Sequence, residues 1–545
     1  MSHSPGTSRE IPAGDSDLDS DATGYSDDSD LDAAQAHQEP LPDDHDSDND
    51  DVEYNYDFDW SPNTIGMRNI PFTKENKILI PTPGNNEPID WFSVLFDDVL
   101  LEKICSYTNA YAWTVFELPT LTPKSRINKW VDLTVPELKT FIGVLLHMGT
   151  VRTNRLSDYW NKHRFFNFEA IREQMSRDRW LLIMRCLHFS KNAQVNVNEQ
   201  NDNRLEKVDL LISTFNSVMS TVYYPGKELS IDESMMLWRG RLLFRQYIKN
   251  KKHKYGIKFY SLCEPDGLCI RFTIYSGKGG ELSGVGHTNK VVMHLMRHRL
   301  GVGHSLYMDN YYNSVPLAAT LLRESTYCTG TLRADRKYLP EEVKTAVLKK
   351  GETVARYAQG IAVAKWKDKR TVLYISTEFE NEMAVSHNRY GQPRQKPLAI
   401  IHYNAEMSGV DRHDQLMAYY PAEHKSLRWY KKVFVHILQM GFINAFRLYK
   451  KSNPATKKSL YDFRIDLVHA LLPPKERLLL RPVQRNQNRH VISKIPKLPN
   501  KARVSRRRCK QCQTEGRETR TIYFCAQCDG EPGLCALACF DKWHA

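Results

Sequence analysis

From residue 88 to 222 apolar residues recur three and four positions apart, the spacing of a helix with one buried face. "PIDWFSVLFDDVLLEKICSYTNAYA", "TVPELKTFIGVLLHMGTV", "SRDRWLLIMRCLHFS" and "KVDLLISTFNSVMSTVYY" all carry it. Thr134 stands where it caps one of these helices, with Glu137 three residues on to complete a capping box. The stretch 410–450 has the same period. Between the two blocks the period shortens to two. "LSID" at 229–232 reads as a short strand, and "GIKFYSLCE" and "LCIRFTIY" as two strands about the turn Pro265-Asp266-Gly267. "NKVVMHLMRHRL" returns to helical spacing, "SLYMDN" is a strand, "SVPLAATLLRES" a helix and "TYCTGTLR" a strand.

Three strands, helix, strand, helix, strand is the order of a ribonuclease-H-like α/β core. In that fold one carboxylate leaves the first strand and a second leaves the fourth, the places held by Asp232 and Asp309. After a strand-rich insertion at 336–400, Asp411 opens a helix where the fold expects its third carboxylate. Asp414, three residues later, shares that helix face. Such carboxylates suit Mg²⁺ or Mn²⁺, hard cations that need few protein oxygens and keep several waters. Two ions about 3.5–4 Å apart activate a water or 3′-hydroxyl and stabilise the leaving oxygen in phosphodiester chemistry. Taken singly, each aspartate has a plainer reading: Asp232 a helix cap, Asp309 the start of a turn before Asn310, Asp414 a surface charge.

Charge changes the picture of partners. The net charge of +12 hides an asymmetry, for residues 1–60 hold 19 acidic residues and one basic residue, Arg9. Residues 61–545 therefore carry 75 basic against 45 acidic side chains, the balance of a chain that binds a polyanion, nucleic acid first among them. The tail, rich in Asp and Ser, buries too little apolar surface to fold. Its Ser-acid pairs suit acidic-directed phosphorylation, or it is a solvated tail with no specific role. No run of eighteen apolar residues and no basic-then-apolar leader occurs, so neither a membrane span nor secretion is expected. Within the body, 238–256 sets Arg239, Arg241, Arg245, Lys249, Lys251, Lys252 and Lys254 beside Trp238, Phe244 and Tyr247. The cations would neutralise DNA phosphates and the rings stack on unpaired bases. Lys425 and Arg428, in "HKSLRWYKK", and Arg333 are further DNA-contact candidates, with Trp429 and Tyr430 either stacking or core residues. The basic run 494–508 reads as a nuclear localisation signal, a DNA tether, or both.

Six of the eleven cysteines crowd into the last forty residues. Cys509-x2-Cys512, Cys525-x2-Cys528, Cys535-x3-Cys539 and His544 have zinc-ligand spacing, and a zinc cross-brace holds together a segment too small for its own core. Cross-brace order assigns Cys509, Cys512, Cys535 and Cys539 to one ion, with Cys525, Cys528 and His544 most of a second. That count is one ligand short of two tetrahedra. Buried free cysteines are the alternative.

"SIDESMMLWRGR", "KYGIKFYSLCE", "LYMDNYYNSVPLA" and "YNAEMSGVDRHDQ", in this order, resemble the piggyBac-type transposases from about residue 88 to the cysteine cluster. The resemblance implies that Asp232, Asp309 and Asp411 form the catalytic triad, that Asp414 is also required, and that His490 is the eighth zinc ligand. It further implies excision through hairpin intermediates, reinsertion at TTAA sites, and a homodimer acting on double-stranded DNA in the nucleus. The expected layout is a tail over 1–60, a helical dimerisation and DNA-binding part over 61–225 and a core over 226–335. An insertion over 336–400 and a closing core helix over 401–420 follow, then the second helical part over 421–480, a basic linker over 481–508 and the zinc domain over 509–545. The rival to an active transposase is a domesticated, transposase-derived protein that binds DNA or chromatin without cutting it.

Overall fold

Period-two segments far apart in the chain become neighbours in one nine-stranded sheet. The computed structural model describes residues 57–116, 125–191, 203–248, 254–387, 390–424, 426–474, 490, 492–498, 504–536 and 538–544. The expected acidic tail lies outside them up to residue 56, as do Lys249, Lys251, Lys252 and Lys425. The chain divides into two compact units, Met1–Pro473 and Pro474–Ala545.

The sheet of the large unit begins with β1 (Glu228–Leu237), β2 (Gln246–Tyr247), β3 (Tyr255–Cys263) and β4 (Cys269–Ile274). Helix α7 (His287–Met296), β5 (Ser305–Met308), α8 (Val315–Arg323) and β6 (Tyr327–Thr331) follow. β3 lies antiparallel to β1 and β4, while β5 pairs parallel to both β1 and β6. This is the expected ribonuclease-H-like arrangement. β1 runs five residues beyond the predicted strand end at Asp232 because its register with β3 continues to Leu237↔Gly256. The sequence hides that extension, since Glu233, at a buried position, breaks the apolar alternation and is matched by Lys258 at 3.4 Å. In the insertion, α9 (Glu341–Thr345) precedes β7 (Thr353–Ala358), β8 (Ile361–Lys367) and β9 (Thr371–Ser376), and β9 pairs antiparallel with β6. These strands extend the core sheet. A separate hairpin, β10 (Met383–His387) with β11 (Pro393–Pro397), leads into α10 (Leu398–Glu406) and α11 (Gly409–Tyr419).

The helical block contains α1 (Pro88–Leu95), α2 (Asp98–Phe116), α3 (Val135–Thr150), α4 (Glu169–Gln174), α5 (Arg177–Cys186) and α6 (Glu206–Val222). Thr134 does cap α3, its hydroxyl accepting from Glu137 N at 3.5 Å. The expected capping box does not close. Glu137 instead takes a bidentate bond from Arg179, both contacts 2.6 Å, tying α3 to α5. The helical stretch 410–450 is interrupted at 420–428, around Pro421. It resumes as α12 (Trp429–Ser452), followed by α13 (Leu460–Leu471). α12 packs on α1 and α6, and α13 on α1 and α3, so segments from both sides of the core build one helical body. The start of the predicted helical part is different: residues 57–80 form an extended strap. Ser61 pairs with Tyr357, Thr73 N donates to Val302 O and Leu79 N to Val222 O. Among the described residues, no helix is long and apolar enough to cross a membrane.

The open edge of the sheet at β4 is covered by two buried asparagines, one from each helical segment. Asn216 of α6 donates to Phe272 O (2.8 Å) and accepts from Phe272 N (3.0 Å). Asn444 of α12 does the same for Cys269, at 2.6 and 3.0 Å. Each side-chain amide stands in for a neighbouring strand, which a buried edge needs. Asn444→Leu strands a buried N–H and a buried C=O. At about 1–3 kcal/mol for each orphaned group, it should cost about 2–6 kcal/mol. A lower urea midpoint in far-UV circular dichroism checks this, and an unchanged midpoint contradicts it.

Candidate active site and metal-ligand clusters

The parallel ladder of β1 and β5 ends at the pair Ile231↔Met308. The next residue on each chain is an aspartate, so Asp232 and Asp309 leave neighbouring backbones at the same level, strands being about 4.8 Å apart. Both are partly buried. Asp232 Oδ1 accepts from Glu233 N at 2.7 Å, and Asp309 Oδ1 from Tyr311 N at 2.9 Å. Asn313, fully buried, fixes the approach to Asp309: its Nδ2 donates to Met308 O (2.7 Å) and Thr331 O (3.0 Å), clasping β5 to β6.

Asp411 arrives on the first turn of α11, which packs on β1 and β3. The approach is close because of Gly409, where a Cβ would stand 2.5 Å from both Ser230 Oγ and Glu264 O. His413 Nδ1 bonds Gly267 O (2.8 Å) and Arg412 donates to Pro265 O (2.7 Å), fastening α11 to the β3–β4 turn. Tyr403 lies on α10. Burial pushes its phenol up to about 12, a hydrogen bond with Thr331 opposes the rise, and the charges of Asp309, Asp232 and Asp411 add to it. Asp414 is placed differently, accepting from Ser234 Oγ at 2.7 Å on the strand that carries Asp232. Among the described residues these carboxylate oxygens do not gather within 4.8 Å as a set of three. The donor chemistry, carboxylate oxygens alone, is the kind that suits Mg²⁺ or Mn²⁺. Asn313, Gly409, Ser234 and Tyr403 were not singled out in the sequence, although all four lie inside the quoted motifs or one residue from Asn310-Tyr311-Tyr312.

The basic candidates divide. Arg239, Arg241 and Lys254 are exposed. Arg245 is partly spent on the fold, donating to Arg239 O at 3.1 Å and lying 5.3 Å from the Tyr255 ring. Arg333 pairs bidentately with Asp335, at 3.1 and 2.6 Å, and Arg428 is the residue before α12. The proposed base-stacking rings are corrected by the fold. Trp238 and Phe244 are 6% and 2% exposed, Phe244 packing edge-on to Trp429 at 5.2 Å, so neither offers a face to a base. Tyr430 is core as well, while Tyr247 is exposed.

The small unit brings all eight C-terminal candidates into two sets. Cys509, Cys512, Cys535 and Cys539 form one, and His490, Cys525, Cys528 and His544 the other, with ligand atoms within 4.8 Å of one another in each. Cys512 Sγ lies 3.5 Å from Cys539 Sγ and 4.0 Å from Cys535 Sγ. A tetrahedral zinc with Zn–S near 2.3 Å requires sulfurs about 3.8 Å apart, so the first set fits the ion. In the second, Cys528 Sγ stands 3.1 Å from His490 Nδ1 and 3.2 Å from His544 Nε2. His490 is brought there by β12 (Ile492–Lys494), which pairs with β15 (Tyr523–Cys525). β13 (Arg507–Arg508) pairs with β14 (Arg520–Thr521), so two stretches of the expected basic linker, 492–494 and 507–508, are strands of this unit.

The sheet order defines a ribonuclease-H-like core in a chain that also carries a cysteine-rich unit. A family model described as "Transposase IS4" matches residues 87–446, and one described as "DDE_Tnp_1-like zinc finger" matches 485–545. The chain belongs to the piggyBac-type transposase family. It is similar to human PiggyBac transposable element-derived protein 3, 26% identical over 81% of this chain and 74% of that protein. Human PiggyBac transposable element-derived protein 2 is 23% identical over 69% of this chain and 64% of that one. Among solved structures, the piggyBac transposase synaptic complex with hairpin DNA is similar at a TM-score of 0.64. It is 25% identical, over 73% of this chain and 83% of that one.

Native mass spectrometry of the intact chain should find two zinc ions per molecule, and one in Cys525→Ser. Two ions retained by that variant would refute the assignment of the second set.

Proposed function

We propose that this chain is a metal-dependent DNA transposase, with Asp232, Asp309 and Asp411 as its catalytic carboxylates and Asp414 as their supporting neighbour. The observation that carries the reading is the shared level of Asp232 and Asp309 at the end of the β1–β5 ladder, with the helix of Asp411 seated over them by Gly409. Divalent ions, when bound, supply an activated water or 3′-hydroxyl and a stabilised leaving oxygen. The protein's part is placement. β1 and β5 hold two carboxylates rigidly, α11 brings the third, and the Ser234 hydroxyl fixes the rotamer of Asp414. Family membership supports double-stranded DNA as substrate, excision through hairpins, reinsertion at TTAA, a homodimer and work in the nucleus. The two Cys/His sets would hold zinc and shape a domain for terminal-repeat DNA.

The human relatives are named as transposable element-derived, which favours a second reading: DNA binding without cutting. Excision from a donor plasmid bearing matching terminal repeats separates the two. Wild type should excise. Asp309→Ala should fall about a thousandfold, the loss expected when several kcal/mol of metal-borne stabilisation disappears, while duplex binding is kept. Binding without excision by wild type would establish the second reading, and equal excision by both proteins would remove Asp309 from the mechanism.

A further inference from the structure

Outside this site the large unit holds a group of cations for which the described residues supply no ion pair. Arg271 lies on β4, against which α7 packs, and Arg297, His298 and Arg299 follow α7 directly. Arg299 is 3% exposed, and its Nε and Nη1 are buried without a hydrogen-bond partner. Arg271 Nε is in the same condition. The charges stand close enough to act on one another. Burial first, then Arg271, lowers Arg299 to about 10, and Arg271 in turn is lowered by burial and then by Arg297. His298 is lowered by burial and by all three arginines. Glu281 is a carboxylate that acts on the group, through His294.

The end of α7 accounts for part of this, since helix C-termini favour cations. It explains the exposed Arg297 and His298. It does not explain the buried guanidinium of Arg299, two of whose N–H donors meet no partner among the described residues, or the unmet Nε of half-buried Arg271, because a buried charge is tolerated when paired. Water satisfies a donor but does not neutralise a charge. A phosphate does both, and its oxygens match the planar fork of a guanidinium. Exposed Arg297 and His298 leave the outer side of the group open.

We infer that Arg271, Arg297 and Arg299 form a binding site for a phosphate group, separate from the aspartate cluster. The phosphate is either a backbone phosphate of bound DNA, a source that rests on the transposase reading, or a free phosphate ion.

The test uses the full chain and the double variant Arg271→Gln/Arg297→Gln, which leaves buried Arg299 in place. Thermal unfolding is measured in sodium phosphate and in sodium chloride at matched ionic strength. Phosphate should raise the wild-type melting temperature by about 2 °C or more and leave the variant unmoved. An equal rise in both proteins, or none in wild type, overturns the site. Binding of a 30-base-pair duplex across a salt series then separates the sources. If the backbone is the ligand, the variant's slope of log K against log salt is shallower by about 0.9 per lost phosphate contact. An unchanged slope, with phosphate stabilisation confined to wild type, assigns free phosphate. Failure of wild type to bind any duplex would count against the transposase reading, while the phosphate shift still decides this site.

Discussion

The parallel register of β1 with β5 is the constraint on which the rest of the molecule depends. Because side chains alternate along a strand, a slip of one residue would send Asp232 or Asp309 to the opposite face of the sheet. The pair Ile231↔Met308 forbids the slip, for both residues are fully buried and have no polar face to exchange with. Asn313 adds a second lock at the same level by bonding the carbonyls of Met308 and Thr331. Gly409 then sets how near the third carboxylate comes. A larger residue there would meet the carbonyl of Glu264, just past β3, and the Ser230 hydroxyl, lifting α11 and Asp411 away from the strand ends.

Much of this was legible in the sequence, because the positions that matter repeat with the period of their elements. The strand and helix order of 228–331 follows from alternation and three-to-four spacing, and the chain order alone gave Asp232 and Asp309 matching places. What escaped was polar burial. Glu233 and Lys258 satisfy each other inside the sheet, so β1 looked shorter than it is. Trp238 and Phe244 stand among arginines in the chain and suggested a wet, base-stacking surface. Three-dimensional packing turns them inward, with the Trp238 ring lying where a Cβ on Gly240 would be. Linear proximity to basic residues carries no information about which way a ring faces.

The insertion shows the same limit from another side. Its strand-rich composition was readable, but period-two patterning says nothing about which edge a strand joins. β9 joins β6 through Tyr374↔Thr331 and its neighbours, so the inserted strands lengthen the core sheet. This has a mechanical consequence. Thr331, at the end of β6, accepts from Asn313, which also holds the carbonyl of Met308 just before Asp309, so the insertion is coupled directly to the strand that frames the site.

Edge protection and charge placement complete the argument. A nine-stranded sheet needs its exposed backbone covered, and Asn216 and Asn444 cover β4 from helices that lie on opposite sides of the ribonuclease-H-like core in the chain. The helical body therefore cannot part from the sheet without unpairing β4, which explains how a domain split by more than two hundred residues stays registered with the carboxylates. Lys451 near the end of α12 reinforces the join. Burial would lower its pKa, but Glu264 and Asp266 outweigh that and raise it, and the Glu264 carboxylate also accepts from Tyr223 and Gly226. Here a buried charge is fully matched. The contrast with Arg299 is physical: the same fold that bonds the Glu264 carboxylate from several sides leaves two buried donors of Arg299 without a partner among the described residues.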